Sequence, residues 1–262
     1  MTDRPPVSCY IRTLNEESRI GATVWAALGV AREVVVVDCG SSDDTIARAA
    51  EAGARVIERP WLGYGHQKRV GEDGCAHDWV LDLDADEVMT EALTREIRDL
   101  FAGGEPDADV YRIALMFVDP GGRVWRKARP LWRNKLYDRR KVRQPAHEVW
   151  DQFRVPDGVR VARLDGRLLN YPFLDIGHYA RKQVDNAFRL AGALADEKHS
   201  PTAFRVYFGL PYFFFRSWVL RGRWREGAYG FLMSVTVAYA HWLRYALLHR
   251  REWQEPLRER GP

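Results

Sequence analysis

Asp84 and Asp86 close the run Trp79-Val-Leu-Asp-Leu-Asp84-Ala-Asp86-Glu87, and their spacing suits a hard cation. An apolar strand here delivers two carboxylates two residues apart, and alternate side chains of an extended chain share a side. Open α/β sheets bind ligands beyond the carboxyl ends of their strands. No Lys or Arg adjoins the pair in sequence. Oxygen donors of this kind suit Mg²⁺ or Mn²⁺ shared with substrate phosphates. The same residues could instead cap a helix, with Glu87 favoured in its first turn by the helix dipole. The motif alone leaves both readings open.

Other stretches bear chemistry. Asp38-Cys-Gly40-Ser-Ser42-Asp43-Asp44-Thr45 joins an apolar run to a helical pattern, where Asp38 could meet a ligand or cap the helix. His147-Glu148 pairs a titratable ring with a carboxylate, suited to general-base work or to a plain surface loop. Gly63-Tyr-Gly65 lacks the third glycine of a dinucleotide fingerprint, and neither GxxxxGK[ST] nor GxSxG occurs. Cys9, Cys39 and Cys75 form no CxxC or Cys/His pattern and read as reduced, buried small hydrophobes. The amino terminus shows no apolar signal region, so a cytoplasmic location is expected.

The elements that must position these residues alternate. Val7–Ile11 and Glu33–Val37 read as strands, the second continuous and apolar as in a parallel sheet covered on both faces. Asn15 is placed to cap a helix carrying Ile20, Val24 and Leu28. A helix from Ile46 to Ala52, a strand at Ala54–Ile57 and a helix within Gly65–Cys75 precede the strand that ends at Asp84. A helix near Thr90 packs Leu93, Ile97 and Leu100, and Val110–Phe117 is another strand. This alternation predicts a doubly wound α/β domain with a mostly parallel sheet. Residues 1–175 would be the catalytic domain, with a nucleotide-binding half at 1–118 and an acceptor-side half at 119–175.

Charge is uneven. Residues 121–160 hold twelve Arg/Lys against four Asp/Glu, whereas the first hundred residues carry just over half of the acids. That contrast predicts a carboxylate-bearing first half and a later surface facing anions. Residues 176–262 read as a helical extension, starting with a long helix from Ile176 to about Lys198. Gly227–Leu243 contains no Asp, Glu, Lys or Arg and is followed by Arg244, Arg250 and Arg251. It is slightly short for a membrane span, and its aromatics with marginal arginines fit an element lying in the membrane interface. A buried core or dimer helix and a true membrane span are the other readings.

Asn15-Glu-Glu17, Asp38 to Thr45, Gly63-Tyr-Gly-His-Gln-Lys68 and Leu83-Asp84-Ala-Asp86-Glu87 occur in that order. Together they resemble the nucleotide-binding half of family 2 inverting glycosyltransferases of GT-A fold, nearest to the lipopolysaccharide-core, β-1,4-glucosyltransferase-like branch. The resemblance implies a UDP-sugar donor and a glycolipid or saccharide acceptor, handled peripherally at the inner face of the membrane. It implies that Asp38 reads uracil and that Thr13 and Glu16 line the nucleotide pocket. Lys68 would lie near ribose or phosphate, unless it is a solvated helix residue. Asp84 and Asp86 match the DXD motif, with Asp86 the main ligand of Mg²⁺ or Mn²⁺ and Asp84 turned to ribose or a metal-bound water. Glu148 becomes the candidate base, with His147 orienting it or binding phosphate. Arg69 stands where this branch commonly has Asn, and Asn170-Tyr171 where His-Tyr is usual, so acceptor identity is not carried over.

Two rivals stand beside this reading. One is a catalytically silent nucleotide-binding or scaffold protein with the same fold. The other is nucleic-acid binding through residues 121–160, but no recognised nucleic-acid motif occurs there, so no such partner is expected.

Overall fold

The computed structural model describes residues 4–172, 175–196 and 203–249. The chain forms two compact units, one of Met1–Phe117 with Pro130–Asn170 and one of Val118–Arg129 with Tyr171–Pro262.

The first unit holds eight strands in one mixed sheet. In chain order they are β1 (Val7–Thr13), β2 (Glu33–Asp38), β3 (Arg55–Glu58), β4 (Trp79–Asp84), β5 (Glu87–Met89), β6 (Val110–Phe117), β7 (Leu131–Asp138) and β8 (Val161–Asn170). Their order across the sheet is β3-β2-β1-β4-β7-β6-β8-β5. The first four neighbours run parallel, β7 pairs antiparallel with both β4 and β6, and β8 returns parallel to β6. The expected α/β fold of GT-A type, with a mostly parallel nucleotide-side sheet and a helical carboxyl-terminal segment, is what the chain adopts.

Helices α1 (Ile20–Leu28), α2 (Thr45–Glu51), α3 (Tyr64–Gly74) and α4 (Glu91–Leu100) cover the sheet. Alternation sorts the parallel strands onto two cores. Cys9, Ile11, Val34, Val36, Leu81 and Leu83 pack on one face with α1 and α4, while Tyr10, Val35 and Val80 pack on the other with Tyr137 and Phe153. Both faces of the strands are buried, which is why β2 tolerates four consecutive valines. Gly71 lets α3 approach β1, since a Cβ there would stand 2.9 Å from the Tyr10 ring.

Four expectations change. Asn15 does not cap α1, which starts five residues later behind Arg19; Asn15 adopts φ 53° and turns its side chain to the loop after β2. Asp84 and Asp86 do not share one extended strand, because β4 stops at Asp84 and Ala85-Asp86 form a turn into β5. Neither caps a helix, because Thr90 does so for α4, accepting from the Leu93 amide at 3.3 Å. The strand β8 runs through Arg163 and Arg167, a stretch to which the sequence reading assigns no element.

The second unit is helical: α5 (Ile176–Asp196), α6 (Ala203–Tyr207), α7 (Gly209–Phe215), a π-turn at Arg216–Leu220, a 3₁₀ turn at Arg223–Glu226, and α8 (Gly227–His249). Lys198, Arg250 and Arg251 lie outside the described residues. Its core joins Ala187 and Ala191 of α5 to Ala240, Leu243 and Leu247 of α8. Among the described residues no helix is long and apolar enough to cross a membrane.

Candidate active site

Parallel pairing brings the carboxyl ends of β1, β2 and β4 level. Thr13 stands opposite Asp38, and Arg12 stands opposite Asp84. The loops that follow β1 and β2 are laced together. The Ser42 amide donates to Asn15 Oδ1 at 2.8 Å, the Glu16 amide to Thr45 Oγ1 at 2.8 Å, and the Asp44 amide to Glu17 Oε2 at 3.1 Å. Two sequence motifs thus form one double loop, held largely by backbone donors.

Asp38 is fully buried, and its Oδ2 accepts from the Gly40 and Ser41 amides, both at 2.8 Å. The Ser41 hydroxyl donates to Oδ1. An ionised carboxylate has about four acceptor sites, so Oδ1 keeps capacity for one more donor. Thr13 Oγ1 is buried without a hydrogen-bond partner among the described residues. A buried hydroxyl left unsatisfied costs free energy unless something else meets it. Glu16 is ion-paired with Arg19, which donates through Nε at 2.7 Å.

The centre of the site is a buried ionic cluster. Lys68 reaches inward from α3, 1% exposed, with Nζ 2.9 Å from Asp82 Oδ2 and 3.6 Å from both Asp84 Oδ1 and Asp151 Oδ2. Lys135 of β7 lies 2.6 Å from Glu87 Oε2 and 3.7 Å from Asp84 Oδ2. Arg12 donates to Asp84 Oδ1 at 3.1 Å, and its guanidinium lies 4.5 Å from the Tyr64 ring centroid. Lys68 is therefore not a solvated helix residue. Burial alone would lower both lysine pKa values, but the surrounding carboxylates raise them and keep both charged. Burial, with Asp84 and Asp86 beside it, pushes Glu87 up to about 7 despite Lys135.

Asp86 follows in the turn between β4 and β5. It is 8% exposed and accepts from Asn170 Nδ2 at 3.4 Å. Among the described residues no group of three His, Cys, Asp or Glu side chains could cage a metal. Mg²⁺ needs no such cage, because it is held by one or two carboxylates plus substrate phosphates and water. Asp86 offers one carboxylate of that kind, whereas Asp84 is already engaged by Arg12, Lys68 and Lys135.

His147 and Glu148 lie against the start of α3. The Tyr64 amide donates to the Glu148 carbonyl at 2.7 Å, and the Gly65 amide to the His147 carbonyl at 2.9 Å. These satisfy amides that a helix amino terminus leaves unpaired. His147 Nδ1 accepts from the Val149 and Trp150 amides at 3.1 and 3.2 Å, so its proton sits on Nε2. His147 thus orients the loop backbone, while the Glu148 side chain stays exposed.

Sequence reasoning placed Asp84, Asp86 and Lys68 in one neighbourhood but missed Arg12, Asp82, Lys135 and Asp151. Asp82 did leave a signal, as a charge inside the apolar run of β4, whereas Lys135 sits beside Arg133 and Asn134 in β7 and left none.

The family described as Glycosyl transferase family 2 matches residues 8–162. An uncharacterized glycosyltransferase of Rickettsia typhi is 31% identical over 253 residues, covering 92% of this chain and 86% of the relative. The lipopolysaccharide core biosynthesis glycosyltransferase LpsC of Rhizobium meliloti is 28% identical over 263 residues, covering 96% and 94%. Glucosyl-3-phosphoglycerate synthase of Mycobacterium tuberculosis, solved with Mg²⁺ and uridine diphosphate, is 24% identical with a TM-score of 0.33, over 45% of each chain.

Proposed function

The chain belongs to glycosyl transferase family 2, and from that premise we propose that it moves a sugar, with inversion, from a UDP-sugar to a glycolipid or saccharide acceptor. The observation that carries this reading is the turn at Ala85-Asp86. It presents a carboxylate beside the carboxyl ends of parallel strands that also bear Asp38 and the unsatisfied Thr13 hydroxyl. The similarity to a lipopolysaccharide core biosynthesis glycosyltransferase supports a core-saccharide acceptor, and our reading places the transfer at the cytoplasmic face of a membrane.

In this reading Asp38 accepts the uracil N3–H through its remaining capacity, and Thr13 and Glu16 line the nucleotide pocket. Asp86, with Asp84, would hold Mg²⁺ or Mn²⁺, which supplies neutralisation of the departing diphosphate. Lys68 fixes Asp84 from inside the cluster rather than reaching the diphosphate itself. Glu148 takes the proton from the acceptor hydroxyl as it attacks the anomeric carbon opposite the leaving group. His147 holds the loop that carries Glu148 and offers its Nε2–H outward.

The test is Asp86→Ala and Glu148→Gln, assayed for donor turnover with Mn²⁺ or Mg²⁺ and for UDP binding by thermal shift. Loss of metal-dependent UDP binding in the first variant, and retained binding with lost turnover in the second, are the expected results. UDP binding by the unaltered chain with no turnover on any saccharide acceptor would point instead to a silent nucleotide-binding protein.

A further inference from the structure

Most exposed large hydrophobic side chains among the described residues fall between Phe204 and Tyr239, all in the second unit. A surface helix normally turns polar residues to water. In α8 the outward stripe is instead Phe231, Leu232, Val235 and Tyr239, at helical spacing and each at least 40% exposed. Beside it, Trp218 lies 6.0 Å from the Phe231 ring and 5.4 Å from that of Phe214. Phe204 stacks on Phe208 at 5.6 Å, continuing the aromatic surface along α6 and α7. An apolar surface this continuous marks an interaction face.

The charges identify its partner. Residues 203–249 contain six arginines, of which Arg223 is buried, and a single acid, Glu226. Glu226 is buried and spent on the Lys127 and Ala128 amides, both at 2.8 Å. Arg126, Lys127 and Arg225 surround Trp224, which is 52% exposed, in an open recess. Two copies of such a face would set arginine against arginine, whereas anionic headgroups would match it. Aromatic rings with arginines at their margin suit the headgroup level of a bilayer.

We infer that α6, α7 and α8, with the turns between them, form a docking face that lies in the interface of a bilayer rich in anionic lipid. The inference rests on the membrane-facing part of the proposed function and gives it a surface and a headgroup charge.

Co-sedimentation of the full chain with phosphatidylcholine vesicles, with and without phosphatidylglycerol, tests it. Binding to the anionic vesicles, weakened by salt, is expected. Arg225→Gln should weaken it roughly fivefold, the share of one basic residue near an anionic surface. Phe231→Asp should abolish it, with circular dichroism confirming that the helices stay folded after the loss of the Phe214 and Trp218 ring contacts. No binding to anionic vesicles, or equal binding to both kinds, would overturn the inference. So would a concentration-dependent dimer that Phe231→Asp dissolves, with no vesicle binding. Donor turnover on a water-soluble acceptor is measured alongside. Its loss with vesicle binding intact would remove the transfer reaction and leave the docking face standing.

Discussion

The amide of Tyr64 donates to the carbonyl oxygen of Glu148 at 2.7 Å, so the first turn of α3 is also the support of the candidate base. Gly63 and Gly65 make this approach possible. Gly63 has φ 113°, and a Cβ there would stand 2.3 Å from Glu148 Cα. At Gly65 it would meet the Trp150 and Pro145 carbonyl oxygens at 2.3 and 2.4 Å. These contacts are to backbone, which cannot swing aside.

Gly65→Ala should therefore displace residues 145–150. Overpacking of this kind costs about 1–3 kcal/mol, and a shift near 1 Å at a reacting group lowers rate about a hundredfold. The expected result is a lowered Tm with turnover falling far more than UDP affinity. Equal losses of both would mean that the loop does not carry the base.

His147 offers a finer separation. Its Nδ1 holds the Val149 and Trp150 amides, a task that the side-chain oxygen of Asn can also perform. His147→Asn should keep Tm close to that of the parent, whereas His147→Ala should lower it by the equivalent of about 1 kcal/mol. If Nε2–H touches donor or acceptor, turnover falls in both variants. Full turnover in His147→Asn would confine this residue to holding the loop.

Lys68→Met should be severely destabilising. It leaves Asp82, fully buried, without its 2.9 Å cation. Breaking a buried pair from one side costs about 3–5 kcal/mol. The double variant Lys68→Met/Asp82→Leu removes both charges and should recover much of that loss in a chemical-denaturation midpoint. No recovery would show that Lys68 acts mainly on Asp84 and Asp151.

What the sequence made legible follows from the physics of each element. The continuous valine run of β2 and the largely apolar runs of β1 and β6 announced these strands, because strands buried on both faces need apolar residues along most of their length. Strand β8 was missed although Arg163, Asp165 and Arg167 alternate with the buried Leu164, Gly166 and Leu168. That is the pattern of a strand with one wet face, and Arg163 and Arg167 are spent over the Trp132 ring at 4.8 and 5.6 Å. Three-residue β5 is too short to show any period. The cations around Asp84 come from β1, α3 and β7, and no local spacing encodes which distant lysine a carboxylate will meet. The turn at Ala85-Asp86 was misread for a related reason: it leads into β5, whose pairing partner β8 is distant in sequence.

The second unit carries a pH response of its own. His241 of α8 donates through Nδ1 to the Val237 carbonyl at 2.9 Å and packs 5.1 Å from the Phe213 ring. Burial, with Arg244, Arg216 and Arg221 adding repulsion, pushes its pKa down to about 4, whereas histidine in an unfolded chain titrates near 6.5. Between those values the unfolded state binds the extra proton, so stability is intact above about pH 6.5 and declines as the pH falls towards 4. The slope is at most about 1.4 kcal/mol per pH unit. His241→Phe keeps a ring against Phe213 and removes the titration. Carboxylates elsewhere titrate alike in both proteins and cancel in the difference. Tm measured from about pH 7.5 to 5 should therefore fall more steeply in the parent than in His241→Phe. Parallel curves would mean that the buried ring gains its proton without unfolding the helices around it.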